Sequence, residues 1–285
     1  VDGNALDALV GISTLVFVVT SMVAMGLSLT VRQVLASLSS TRLVVVALAV
    51  NFVAVPAAAY VIDLVLDLDE SLFIGLILIA VAGGAPFLPK LAQVAKGDAA
   101  LSIGLMVLLM VATVVVMPIA LPLLLDNVEV NAWDIASSLI FLMLVPLGIS
   151  LFVRARYPDH AEQATGPFGM ISSVALAFLA IGGIIGNWSE VVSLIGTRGI
   201  LAALLLIVIA FGLGFVTGGG DLASRSVMGL GAGQRNLSAA FVVAVQNFSD
   251  DTDVLAFVIV AGLVGLVVLM AGAAEVGRRR TDAAT

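Results

Sequence analysis

Residues 227–245 read VMGLGAGQRNLSAAFVVAV, and Arg235 stands in the middle of a run otherwise built from apolar and small residues. An arginine at the centre of a bilayer costs about 2.5 to 3.5 kcal/mol on insertion scales, so it needs a cavity or a partner. Two roles fit it. It can attract an anionic ligand, or it can neutralise the negative end of a helix dipole, which carries roughly half an elementary charge. Gln234 and Asn236 flank it with amides, and Ser238 follows within one turn.

Other polar residues in apolar runs are candidates of lower specificity. Asn51 is the lone polar residue of LVVVALAVNFVAVPAAAYVI. A hydrogen bond from its amide across to another helix, worth roughly 0.6 to 2 kcal/mol, accounts for it, and a site role stands beside that reading. Lys90 lies four residues past Pro86; it either serves a site or snorkels to the cytoplasmic headgroups. Ser102, Thr113 and Ser238 are each able to satisfy their own helix backbone. Signatures of catalysis are missing. There is no cysteine, the single histidine (His160) sits in a polar connection, and no H-E-x-x-H, phosphate loop or pair of intramembrane acids occurs. The expectation is a non-enzyme with no catalytic residues and no cofactor.

These residues must be positioned by membrane helices. Of the 285 residues 61% are apolar and 11% charged, and the mean hydropathy is +1.23, far from a soluble domain. The apolar residues form continuous runs near bilayer length and do not alternate as barrel strands do. Nine segments are predicted, at about 9–31, 42–63, 71–95, 99–125, 133–153, 168–188, 199–217, 222–248 and 254–274. The first, with no preceding cation and no cleavage site, reads as a span and not a signal peptide. The longest polar connection, Arg154 to Gly166, is too short for a soluble domain, so residues 1–285 form one membrane domain.

Nine spans place the termini on opposite sides. Arg32, Arg42, Lys90, Lys96, Arg154, Arg156, Arg225, Arg278, Arg279 and Arg280 then share one side. The other collects Asp2, Asp7, Asp63, Asp67, Asp69, Glu70, Asp126, Glu129, Asp134, Glu190, Asp250, Asp251 and Asp253, with Arg198 its only cation. The positive-inside rule makes the C-terminus cytoplasmic and the N-terminus external, in a multi-pass cell-membrane protein. The net charge of −7 is therefore an acidic outer face and no sign of a nucleic-acid partner.

Two segments are interrupted. The third, LFIGLILIAVAGGAPFLPKLAQVAKGD, breaks at Gly83, Gly84, Pro86 and Pro89; the eighth breaks after Gly229, Gly231 and Gly233 and resumes at Leu237. Unwound backbone at membrane depth survives only inside protein or beside a water-filled cavity. A pair of broken helices in two halves of a chain points to an inverted-repeat transporter with its site where the breaks meet.

With those breaks placed, the chain resembles the bile acid:sodium symporter family over nearly its full length. The matching pieces are FVVTSMVAMGLSLTV, AVNFVAVPAAAY, AGGAPFLPKLAQVAKGDAALSI, MPIALP and GAGQRNLSAAF, in family order. The resemblance implies an all-α fold of two inverted repeats, a panel (here 9–31, 133–153 and 168–188) and a core containing the other six segments with its broken helices crossing. Nine spans imply that the first helix of a ten-helix pattern is absent. It also implies carriage of a small organic anion across the lipid bilayer by alternating access, with sodium bound behind the crossing. Pro86, Arg235, Asn236 and Ser238 fall at the substrate side, and Asn51, Lys90, Ser102, Gly231, Gln234 and Arg235 at crossover or ion-site positions. The family's site glutamate falls at Gly231, its glutamine at Arg235, a Ser-Asn pair at Leu88 and Pro89, and a threonine at Met106. Only Asn51, Ser102 and Asn236 remain as side-chain sodium ligands, and no carboxylate is left for a hard cation. The resulting expectation is that Arg235 replaces a sodium ion. A charge pair about 4 Å apart gains on the order of 4 kcal/mol at an effective dielectric of 20, enough to offset insertion. Two alternatives are a symporter using main-chain sodium ligands and a non-transporting receptor or scaffold of the same fold.

Overall fold

The computed structural model describes residues 3–30, 40–125, 131–186, 194 and 197–282, and the regular structure among them is entirely helical. Arg32, Asp2, Asp126, Glu129 and Glu190, used above for charge asymmetry, lie outside the described residues. The helices are α1 (Gly3–Ser28), α2 (Thr41–Leu66), α3 (Glu70–Val81), α4 (Leu88–Val94), α5 (Ala99–Leu124) and α6 (Ala132–Arg156). They continue with α7 (Pro158–Gly186), α8 (Gly199–Thr217), α9 (Leu222–Gly233), α10 (Leu237–Asn247) and α11 (Thr252–Asp282). Six of these, α1, α2, α5, α6, α8 and α11, are long and apolar enough to cross a bilayer. The chain is an all-α, multi-pass membrane protein.

Prolines shape two of the long helices. Pro56 and Pro146 lack the N–H that a helix interior needs. In each case a wider turn precedes the proline, over Val50–Ala54 and Ile140–Leu144, and is closed by Val55 N–H on the Val50 carbonyl or Val145 N–H on that of Ile140. Such π turns absorb one residue without ending the helix, and the first carries Asn51 inward to a fully enclosed position. Helix α5 runs through Pro118 and Pro122 without a break.

One expectation about a connection is corrected. Arg154 to Gly166 is not an extended polar loop: α6 ends at Arg156 and α7 begins at Pro158, so His160 is helical. Proline is preorganised for the first helical position, and Asp159 in the first turn complements the dipole there. Arg154 reaches back to Glu162 at 3.9 Å across this corner.

The short helix α3 is apolar all round because it is enclosed all round. Ile74 to Val81 are all buried, with Leu76, Ile77 and Leu78 fully inaccessible. It packs against α11, α2 and α5. Helix α1 lies along α7 and α6, and α8 along α9, α11 and α2. Val53, Val61, Leu64 and Val65 on α2 and Val115, Ile119 and Leu123 on α5 are exposed, the surface expected of helices solvated by lipid tails.

Candidate functional site

The interruption after α3 is enforced by its sequence. Gly84 has φ +77, a left-handed torsion that glycine adopts without a steric penalty. Its α-carbon also sits against α5, where an added Cβ would lie 2.1 Å from the Met110 amide nitrogen. Pro86 and Pro89 follow, the latter in the first turn of α4. Thr113 of α5 closes the backbone that is left open: its hydroxyl accepts from Gly83 N–H at 2.8 Å and donates to the Gly83 carbonyl at 2.9 Å. The expectation that Thr113 satisfies its own helix is therefore wrong, because an unwound peptide opposite offered it both a donor and an acceptor. Thr113→Val should lower the melting temperature by the equivalent of about 1–3 kcal/mol, the cost of unpaired buried groups, while Thr113→Ser retains most of the stability. Thermal denaturation of the purified variants checks this.

The second interruption is three residues long, Gln234 to Asn236, between α9 and α10. Gln234 is extended, with φ −82 and ψ 118. Asn236 caps α10 by accepting from Ala239 N–H at 3.2 Å. It also joins the two breaks, since its own N–H donates to the Ala82 carbonyl at 2.8 Å and its Nδ2 to the Gly84 carbonyl at 3.2 Å.

Arg235 lies between them, 5% exposed. Its Nε donates to the Ile79 carbonyl at 3.0 Å, and Nη2 donates to the Ala80 carbonyl at 2.7 Å. Nη1 donates to the Ala232 carbonyl at 2.7 Å and to Asn51 Oδ1 at 2.8 Å. Ile79 and Ala80 belong to the last turn of α3, and Ala232 to the last turn of α9. The guanidinium thus caps two helix C-termini at once. Each carries roughly −0.5 charge, so their sum nearly balances the arginine. Asn51 is held in place by its own Nδ2, which donates to the Ala47 carbonyl at 2.9 Å.

A cavity of about 340 Å³ opens beside the crossing, a size at the lower end of small-molecule sites. Pro86, Gln234, Arg235 and Ser238 border it from the broken segments, and α1, α7 and α11 supply the opposite walls. Phe17 of α1 meets Phe241 of α10 edge to face, with ring centroids 6.4 Å apart. Ser238 was expected to bond its own helix; it is 1% exposed with no partner for its hydroxyl.

The remaining candidates make no bond to Arg235. Lys90 is exposed, its Nζ 3.5 Å from Gln93 Oε1. Ser102 donates to the Ala99 carbonyl of its own helix at 2.7 Å. Gly231 faces leucines: a Cβ there would be 2.6 Å from Leu105 Cδ2 and 3.2 Å from Leu88 Cδ2. Sequence reasoning gave Thr113 the wrong partner and missed the walls from α1 and α7. Phe17, Ser21, Ser172 and Leu176 carry no local signal, because only the packing of distant segments makes them neighbours.

Helices that cross a bilayer, two of their neighbours broken at one meeting point, define a multi-pass membrane protein with an intramembrane polar centre. The family model of the Sodium Bile acid symporter family matches residues 15–216, and the chain belongs to that family. The match spans α1 to α8 and stops before the segment carrying Arg235. Among curated relatives, a protein of Oryza sativa subsp. japonica described as "Probable sodium/metabolite cotransporter BASS2, chloroplastic" is 26% identical over 234 residues, 80% of this chain and 55% of the relative. "Probable sodium/metabolite cotransporter BASS1, chloroplastic" of Arabidopsis thaliana is 23% identical over 241 residues, 83% of this chain and 60% of the relative. The chain therefore spans little more than half the length of these relatives.

Proposed function

We propose that this protein is a secondary transporter of small organic anions, working by alternating access, in which Arg235 stands where a sodium ion would otherwise hold the crossing together. The observation that carries the reading is the guanidinium bonded to the last turns of both α3 and α9 and to Asn51. A cation at that point draws together carbonyls that repel one another, and arginine does so without dissociating. Family membership and the cotransporter descriptions of the two relatives support the carrier class. Leu88 and Leu105 packed around Gly231 support the loss of an ion site there, since a hard cation needs oxygen ligands.

In this reading the six long helices, α7 and the two broken pairs make nine spans in inverted repeats. Helices α1, α6 and α7 form a panel against which the rest moves as a core. The N-terminus of α10, capped by Asn236, faces the cavity and favours negative charge. The end bearing Arg154, Arg156, Arg225 and Arg278 to Arg280 is cytoplasmic, and the host bilayer is the cell membrane.

A second reading keeps sodium coupling, with Asn51, Ser102 and Asn236 assisting main-chain oxygens; the descriptions of both relatives favour it. A receptor or scaffold of the same fold is the third. Proteoliposomes separate them: uptake of a carboxylate cargo should be equal in sodium and in choline. A clear sodium requirement overturns the arginine substitution, and binding without flux leaves the receptor.

A further inference from the structure

Helix α4 buries Leu88, Leu91 and Ala92 and leaves Lys90 and Gln93 exposed, and Lys96 is exposed in the turn that follows. The end of α11 is locked to this turn. Arg280 Nη1 donates to the Lys96 carbonyl, and a Cβ added to Gly277 would collide with the Val94 carbonyl oxygen. Arg278 and Arg279 are exposed and both donate to Glu275, at 2.9 and 2.6 Å. Asp98 is engaged as the cap of α5, where it accepts from Leu101 N–H at 2.9 Å. In residues 88–98 and 275–280 the cations Lys90, Lys96, Arg278, Arg279 and Arg280 thus outnumber the carboxylates Asp98 and Glu275. Lys96 also has φ +53, a left-handed torsion that glycine takes at lower cost after a helix. Such torsions are kept where a particular side chain is needed.

We propose that the edge made by α4, the Lys96 turn and the end of α11 binds the headgroup of an anionic phospholipid, whose phosphate is held by Lys90, Lys96 and Arg280. The apolar span of α11 runs out at Arg280, which sets this edge at the depth of the headgroups. Clustered cations beside the end of a span attract anionic lipid. Lysine stems reach that depth by snorkelling, the second of the two roles open to Lys90. A guanidinium carries several N–H donors, so the bond that fixes Arg280 to the Lys96 carbonyl leaves it able to hold a phosphate oxygen as well. Because the cations come from two elements already packed together, the lipid pays little to organise them. Bound lipid ties the second half of the first broken helix to the membrane surface. The proposal holds whether or not the protein carries a cargo.

The whole chain in dodecyl maltoside, titrated with dioleoylphosphatidylglycerol or dioleoylphosphatidylcholine, tests this by native mass spectrometry and by melting temperature. Phosphatidylglycerol should be retained and should raise the melting temperature, phosphatidylcholine should do neither, and high salt should shrink the difference. Removing one cation at an anionic surface costs about fivefold in affinity, so Lys90→Gln with Lys96→Gln should lose roughly 25-fold. Lys96→Gly separates binding from folding. It relieves the torsion and should raise the melting temperature in phosphatidylcholine, yet weaken phosphatidylglycerol about fivefold. Arg156→Gln, at the α6–α7 corner, should keep full affinity. Equal retention of the two lipids, an undiminished phosphatidylglycerol effect in the double variant, or an equal loss in Arg156→Gln overturns the inference. So does a rise in melting temperature as large with glycerol 3-phosphate, which carries the phosphate without a lipid.

Discussion

Replacing Arg235 with methionine is expected to cost about 3–5 kcal/mol of stability, the range for removing one side of a buried charged network. The change leaves the Ile79, Ala80 and Ala232 carbonyls and Asn51 Oδ1 buried without their donor. Arg235→Lys should recover little. A single ammonium is a point donor, whereas the four acceptors here are spread around a planar fork. Arg235→Glu is the more informative variant. It puts a carboxylate against two negative helix ends, which a sodium ion would relieve by binding the carboxylate and the carbonyls together. Sodium should therefore raise the melting temperature of Arg235→Glu and leave that of the parent unchanged. Thermal denaturation in sodium against choline decides it, and a parent protein stabilised by sodium would retire the substitution.

Gly84→Ala is the second large effect. The left-handed torsion of φ +77 costs a side-chain-bearing residue about 1–2 kcal/mol. The new methyl would also fall 2.1 Å from Met110 N and 2.6 Å from the Leu109 carbonyl carbon, both of them backbone. Backbone of a packed helix yields only by moving α5 away, and that would loosen the Thr113 bonds to Gly83. Overpacking of this kind adds roughly 1–3 kcal/mol, so the summed loss should rival that of Arg235→Met. Gly212→Ala on α8 is the control, since a Cβ there meets nothing within 4 Å; it should be neutral or slightly stabilising. Yield of monodisperse protein and melting temperature measure both.

What could be read from the sequence follows from what is locally costly. Arg235 was conspicuous because a charge in an apolar run has no cheap explanation, and the Gly and Pro clusters marked both interruptions because those residues weaken a helix, although Gly229, Gly231 and Gly233 themselves stay within α9. Asn51 was visible as a lone amide, but its partner was not, since nothing in the sequence says which helix faces it. Thr113 and Ser238 show the limit most clearly. A hydroxyl in a helix normally bonds its own backbone, and whether it does so depends on the peptide opposite. Thr113 found the opened peptide of Gly83, whereas the Ser238 hydroxyl is buried without a partner. The π turns before Pro56 and Pro146 were also unforeseen, because a proline inside a helix permits a kink or a wide turn and the packing selects. Residues 158–166 were misread because their polarity suits a surface helix as well as a loop.

The Arg235 and Asn236 bonds stitch the end of α3 and the peptides just beyond it to the α9–α10 junction at four carbonyls, those of Ile79, Ala80, Ala82 and Gly84. Sliding one broken helix past the other would tear these links simultaneously, so the crossing is built to travel as a single block. In the proposed carrier, opening of the cavity then falls to the contact between this block and α1, where the Phe17 and Phe241 rings meet edge on and offer a smooth bearing with little to break.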